Sequence, residues 1–185
     1  MTNPSNDLNY ALNNVSASSA GGAPFLLAYG LTFLITAILS FFLQKSTVAI
    51  IAMFQGSISL PLAFLLERRL STERRAPDNP LNQLSGQIAF SQVLGLPALI
   101  IAYSLNPGAV PVVLAALGGV HFLPYAWLHR TRIYTVLGVV LSIGAFALQL
   151  VLGSDAFFYI LLFIAVAYWV AAPLVFRHAA RLVNP

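Results

Sequence analysis

Cysteine does not occur in this chain of 185 residues. Disulfides, thiolate metal sites, iron–sulfur clusters and thiol nucleophiles are excluded together. Charge is scarce too: nine Lys and Arg and five Asp and Glu make up 8% of the residues, where a water-soluble domain carries about 25%. The five carboxylates, Asp7, Glu67, Glu73, Asp78 and Asp155, all fall outside the apolar runs. Cation-coupled transporters and proton pumps usually carry an acid within a helix, so those mechanisms lose weight. No paired carboxylates, metal-ligand spacing, phosphate-cradling glycine loop or serine beside a histidine–acid pair is present. The sequence therefore points away from an enzyme and implies no cofactor and no metal.

What fills the chain instead is apolar: 59% of residues are hydrophobic and the mean hydropathy is +0.85. That is too much to bury inside one small globule, so lipid must cover the rest. The expected class is all-α, an integral-membrane bundle of six transmembrane helices. A helix needs roughly 20 apolar residues to cross hydrocarbon, and six runs qualify, at about 24–43, 47–66, 84–105, 109–128, 133–152 and 156–176. Short breaks such as Asn106-Pro107-Gly108 and Gly153-Ser154-Asp155 leave antiparallel neighbours. Residues 23–178 form the expected membrane domain, and residues 179–185 a short cytoplasmic tail. Residues 1–22, rich in Asn, Ser and Gly and free of Lys and Arg, are expected to be a disordered or interfacial tail without a cleavable signal. Within that tail, Leu8, Leu12 and Val15 can align on one face of a short helix.

The cations are clustered. Arg68, Arg69, Arg74 and Arg75 follow the second run, Arg130 and Arg132 the fourth, and Arg177 and Arg181 the sixth, while Lys45 alone lies opposite. The positive-inside rule then places both termini in the cytoplasm. Such clusters do not suggest nucleic acid. Arg68, Arg69, Arg74 and Arg75 are candidates for anionic lipid headgroups, beside a simpler role in setting topology. The even runs end alike, in "PLAFLLERR", "PYAWLHRTR" and "PLVFRHAAR", which suggests three pseudo-repeated helical hairpins or convergence on one kind of exit turn.

Pro61, Pro97, Pro124 and Pro173 lie within the runs, and each should free the carbonyl four residues earlier, near mid-membrane. Those carbonyls belong to Ser57, Val93, Val120 and Trp169. The polar side chains Gln55, Ser57, Ser59, Ser91, Gln92, His121 and Tyr168 fall at about the same depth. Together they predict a polar layer lining a small hydrated cavity, provided Gln92, His121 and Tyr168 converge. For His121 the alternatives are a structural hydrogen bond, a solute, proton or ion contact, and haem ligation. Gly118-Gly119, Gly138, Ser142 and Gly144 mark close helix packing.

"GAPFLLA", "LPLAFLLERRL", "DNPLNQL" and "GGVHFLPYAWL", in that order over about residues 22–135, resemble a bacterial family of small integral-membrane proteins classed as a domain of unknown function. The resemblance singles out Pro24, Phe25, Pro61, Asp78, Asn79, Pro80, His121, Pro124 and Trp127, and implies no activity. Two functions fit the residues. One is a structural or accessory membrane subunit, alone or as a homo-oligomer or partner of another membrane protein. The other is a protein that binds or passes a small molecule or ion. A membrane-embedded enzyme or electron carrier is the alternative.

Overall fold

The computed structural model describes residues 8–71 and 73–183. Among these there is no strand. Nine α-helices follow one another: α1 (Leu8–Ser18), α2 (Ala23–Leu39), α3 (Lys45–Phe54), α4 (Gly56–Leu70), α5 (Leu81–Ser91), α6 (Leu96–Leu105), α7 (Val110–Leu128), α8 (Ile133–Leu152) and α9 (Ala156–Val183). Local chemistry sets most boundaries. Asn106 accepts a hydrogen bond from the Gly108 backbone N–H at 2.9 Å, and Pro107 and Pro111 open the next turns. Asn79 Oδ1 accepts from the Leu81 N–H at 3.0 Å, which starts α5.

Four helical stretches are long and apolar enough to cross a membrane: Ala20–Leu39, Leu81–Leu105, Pro107–Leu128 and Ile133–Leu182. A fifth arises if α3 and α4, bent by 41°, are taken together. Six were expected. The count differs because two expected spans run into one 50-residue stretch through a 3₁₀ turn at Gly153–Asp155. At Gly153 the backbone takes φ 54°, ψ −117°, and α8 packs along α9, so this stretch folds back on itself.

The helices pack in the order α4, α2, α9, α8, α7, α5–α6, with α3 leaning across to α6 and α7. The α7–α8 seam is the closest. A Cβ on Gly119 would strike Ser142 and the Gly138 carbonyl, so only hydrogen fits there. Leu141, Ile160, Leu161 and Ile164 fill the centre. On the far side, the 41° bend lets α3 close the ring near Lys45 while α4 departs from it. Beyond α2 and the Ala20–Gly22 turn, α4 packs on little else, and α5 packs on α7 and α1.

Helix α1 packs on α9, α5 and α7 and on the Ala20–Gly22 turn. Residues 1–22 were expected as a disordered or interfacial tail; from Leu8 the chain is instead folded into the bundle, and residues 1–7 lie outside the described part. Leu12 and Val15 are buried against Leu81 and Leu128, whereas Leu8 is exposed. The chain then turns sharply into α2 through Gly21 (φ 65°) and Gly22 (φ 81°), a conformation that glycine adopts without strain. At the other terminus α9 continues to Val183, so helix occupies most of what was expected as a tail from residue 179.

Candidate functional site

Polar groups gather at two levels. The first lies under α1, at the arginine-rich end. Asn14 Nδ2 donates to the Arg74 carbonyl at 3.2 Å, its Oδ1 accepts from the Ala76 N–H at 3.0 Å, and Asn79 Nδ2 donates to the Ala11 carbonyl at 2.8 Å. Ser71 Oγ donates to the Ser18 carbonyl at 2.7 Å. His129 is buried with Nδ1 3.4 Å from Ser16 Oγ, and His178 Nε2 lies 3.1 Å from the His129 carbonyl. Burial, reinforced by His178, pushes the His129 imidazole down to about 4, so it is neutral at physiological pH. Tyr134 donates to the Gly21 carbonyl at 2.5 Å. All three echoed exits therefore end beside α1 or the turn that follows it.

Rings connect this level to the interior. Tyr125 stacks on His129, Phe122 stacks on Tyr134, and Tyr168 meets both Phe122 and Phe33 edge to face. His121 stands 5.1 Å from Tyr125, ring centre to ring centre.

The second level is the layer expected from the sequence, and the structure divides it. Gln55, Ser59 and Tyr168 are buried, and Gln92 and His121 are half-buried, but Ser57 and Ser91 face outward, Ser57 donating to the Phe54 carbonyl at the end of α3 and Ser91 to the Ile88 carbonyl of its own helix. Ser59 and Thr32 share a 2.7 Å hydrogen bond between α4 and α2, and Gln92 Nε2 donates to the Leu117 carbonyl at 3.2 Å. These are interhelical links. Gln55 and His121 are different: Gln55 Oε1 and His121 Nδ1 are buried and have no hydrogen-bond partner among the described residues.

The prolines do not build the layer as expected. Pro61, Pro97, Pro124 and Pro173, together with Ser57, Val93, Val120 and Trp169 one turn earlier, all lie on exposed faces. A proline ring needs room on the side of the carbonyl that it displaces, and lipid supplies that room more readily than a packed core. Two depressions lie at opposite ends of the bundle: about 170 Å³ beside Ser40, Lys45 and Asp155, and about 400 Å³ beside Ser18, Glu67, Arg68 and Arg74.

The helices break at glutamines instead. Gln55 caps the end of α3, with Gly56 opening α4, and Gln92 caps the end of α5 before a 3₁₀ turn at Val93–Gly95. At 1.5 Å per residue, the α3 break lies about 15 Å from Lys45, and the α5 break about 16 Å from Leu81 at the opposite end of the bundle. The Tyr29 hydroxyl is beside Gly56. Neither Tyr29 nor the break at Gln55-Gly56 was predicted; a Gln-Gly pair inside an apolar run is the signal that could have found it.

These features define a class: a small, all-helical protein with several helices compatible with a membrane and a polar level within the bundle. The chain belongs to a family of unknown function, DUF7010, whose model matches residues 8–178. Comparison with curated proteins and with solved structures gives no match. The family match extends the resemblance seen in the sequence at both ends, taking in α1 and the last two helices.

Proposed function

We propose that this protein crosses the bacterial cytoplasmic membrane six times, with both termini in the cytoplasm, and binds or passes a small uncharged polar solute at the layer of Gln55 and His121. The reversal at Gly153 supports six crossings, with α2, α3–α4, α5–α6, α7, α8 and α9 each spanning once. The Lys45 ammonium, 2.8 Å from the Ser154 carbonyl, brings two turns together at one end, and α1 gathers the arginine-bearing exits at the other. That segregation supports the orientation. Exposed Arg68, Arg69 and Arg74 are the candidates for anionic headgroups; Arg75 already pairs with Glu67 at 2.9 Å.

One observation carries the functional reading. Polar residues that serve only to hold helices together need partners, and Gln55 Oε1 and His121 Nδ1 have none among the described residues. This weighs against a purely structural or accessory subunit. The apolar runs hold no carboxylate, so an uncharged hydrogen-bonding solute suits the layer better than a cation. Two spans broken at a glutamine, with little contact between α4 and α5, supply a place to part the helices. Nothing in the site arranges a nucleophile with a base, and the reading is not enzymatic.

The test uses the purified protein in liposomes, with glycerol and urea as solutes and light scattering as the readout. Gln55→Leu should abolish any permeability above that of empty vesicles. It should leave unfolding stability in detergent unchanged or raised by up to about 1 kcal/mol, because it removes an unpaired buried acceptor. A loss of about 1 kcal/mol or more, or no solute permeability in the parent protein, would overturn the reading.

A further inference from the structure

The stretch Leu81–Leu105 is apolar and long enough to span, yet almost none of it is buried within one copy of the chain. Its inner face is accounted for: Leu81, Leu84 and Ile88 pack beneath α1 and α7, and Gln92 reaches Leu117. The outer face is unusual for a helix in lipid. Gln83, Gly86, Gln87, Phe90 and Leu94 recur at spacings of three and four, all exposed. The side chains of Gln83 and Gln87 make no hydrogen bond among the described residues, and the space around Gly86 is open.

Acyl chains offer an amide nothing to bond with, so a glutamine one turn inside the span calls for a protein partner. The face also specifies which partner. It carries no charge, so it asks for no oppositely charged surface. A primary amide both donates and accepts, so one copy of this face satisfies another. A twofold axis along the membrane normal brings identical residues together at identical depth, amide to amide at Gln83 and Gln87, with Gly86 permitting close approach.

We propose that the outer face of α5 and α6 is the docking surface for a second copy of this chain, joined helix to like helix in a parallel twofold dimer. The inference rests on the membrane reading, which resistance to alkaline extraction tests separately, and not on the solute reading.

The absence of native cysteine makes the experiment clean. Gln87→Cys and Leu94→Cys, each oxidised in native membranes with iodine, should give a disulfide-linked homodimer. Val140→Cys, exposed on α8, should not. In liposomes, energy transfer between labelled copies should show association weakened about threefold by Gln87→Leu, and about tenfold when Gln83→Leu is added. If Gln87→Cys fails to fold, Leu94→Cys carries the test alone. Monomer at both positions, an equal band from Val140→Cys, a cross-linked band of another mass, or unaltered association in the leucine variants would each overturn the proposal.

Discussion

His129 concentrates the chemistry of the α1 level in one side chain. It is neutral, buried between Tyr125 and Tyr134, with Ser16 on one side and His178 against its carbonyl. Its folded-state value, about 4, lies below the unfolded value near 6.5. The unfolded chain therefore binds the extra proton first. Stability attributable to this group is fully present above about pH 6.5 and is lost progressively as pH falls towards 4. Unfolding of the detergent-solubilised protein should show this loss, up to about 1.4 kcal/mol per pH unit. His129→Gln, which keeps a polar group beside Ser16, should flatten the profile in that window. An unchanged slope in the variant would assign the pH dependence elsewhere, with the Glu67–Arg75 pair the next group to examine.

At the scale of elements, the two sides of the bundle are built differently. Helices α7, α8 and α9 make a tight slab in which glycine sets the spacing. Gly119→Val would drive a branched side chain into the Gly138 carbonyl, and backbone cannot swing aside as a side chain can. The expected cost is about 3 kcal/mol or more, at the upper end for overpacking, read as a lowered detergent-unfolding midpoint. Ala116→Val, outward on the same helix, should stay within about 0.5 kcal/mol. Helices α3 to α6 are looser, and both of their spans are interrupted at a glutamine. Local opening draws on elements with few buried apolar contacts, so the solute reading locates movement here and not in the slab.

For the molecule as a whole, the prediction concerns sidedness. Cysteine introduced at Asp78 and at Arg181 should react with a membrane-impermeant maleimide only from the cytoplasmic face. Cysteine at Ser154 should react only from the other. Labelling of positions 78 and 181 from opposite faces would dismantle the six-crossing arrangement and, with it, the meeting of the echoed exits at α1.

The helical class and some helix boundaries were legible in the residues, because hydrophobic run length and turn chemistry are local properties. Expected spans 109–128 and 133–152 match α7 and α8 to within a residue. How far along its helix each polar residue sits was legible for the same reason, since that follows from counting. Direction was not. Gln55 and Ser57 sit two residues apart at one depth, yet one is buried and the other faces out, which depends on how α4 rests on α2. The fate of residues 8–18 was hidden in a similar way. Asn, Ser and Gly signal disorder when nothing satisfies them, but here the partners of Asn14 are Arg74, Ala76 and Asn79, some sixty residues on. Apolar lengths and cation positions are written along the chain and can be read from it one run at a time. Which polar groups find partners, and which are left without, was decided only when distant helices met, because a hydrogen bond is a property of two places at once.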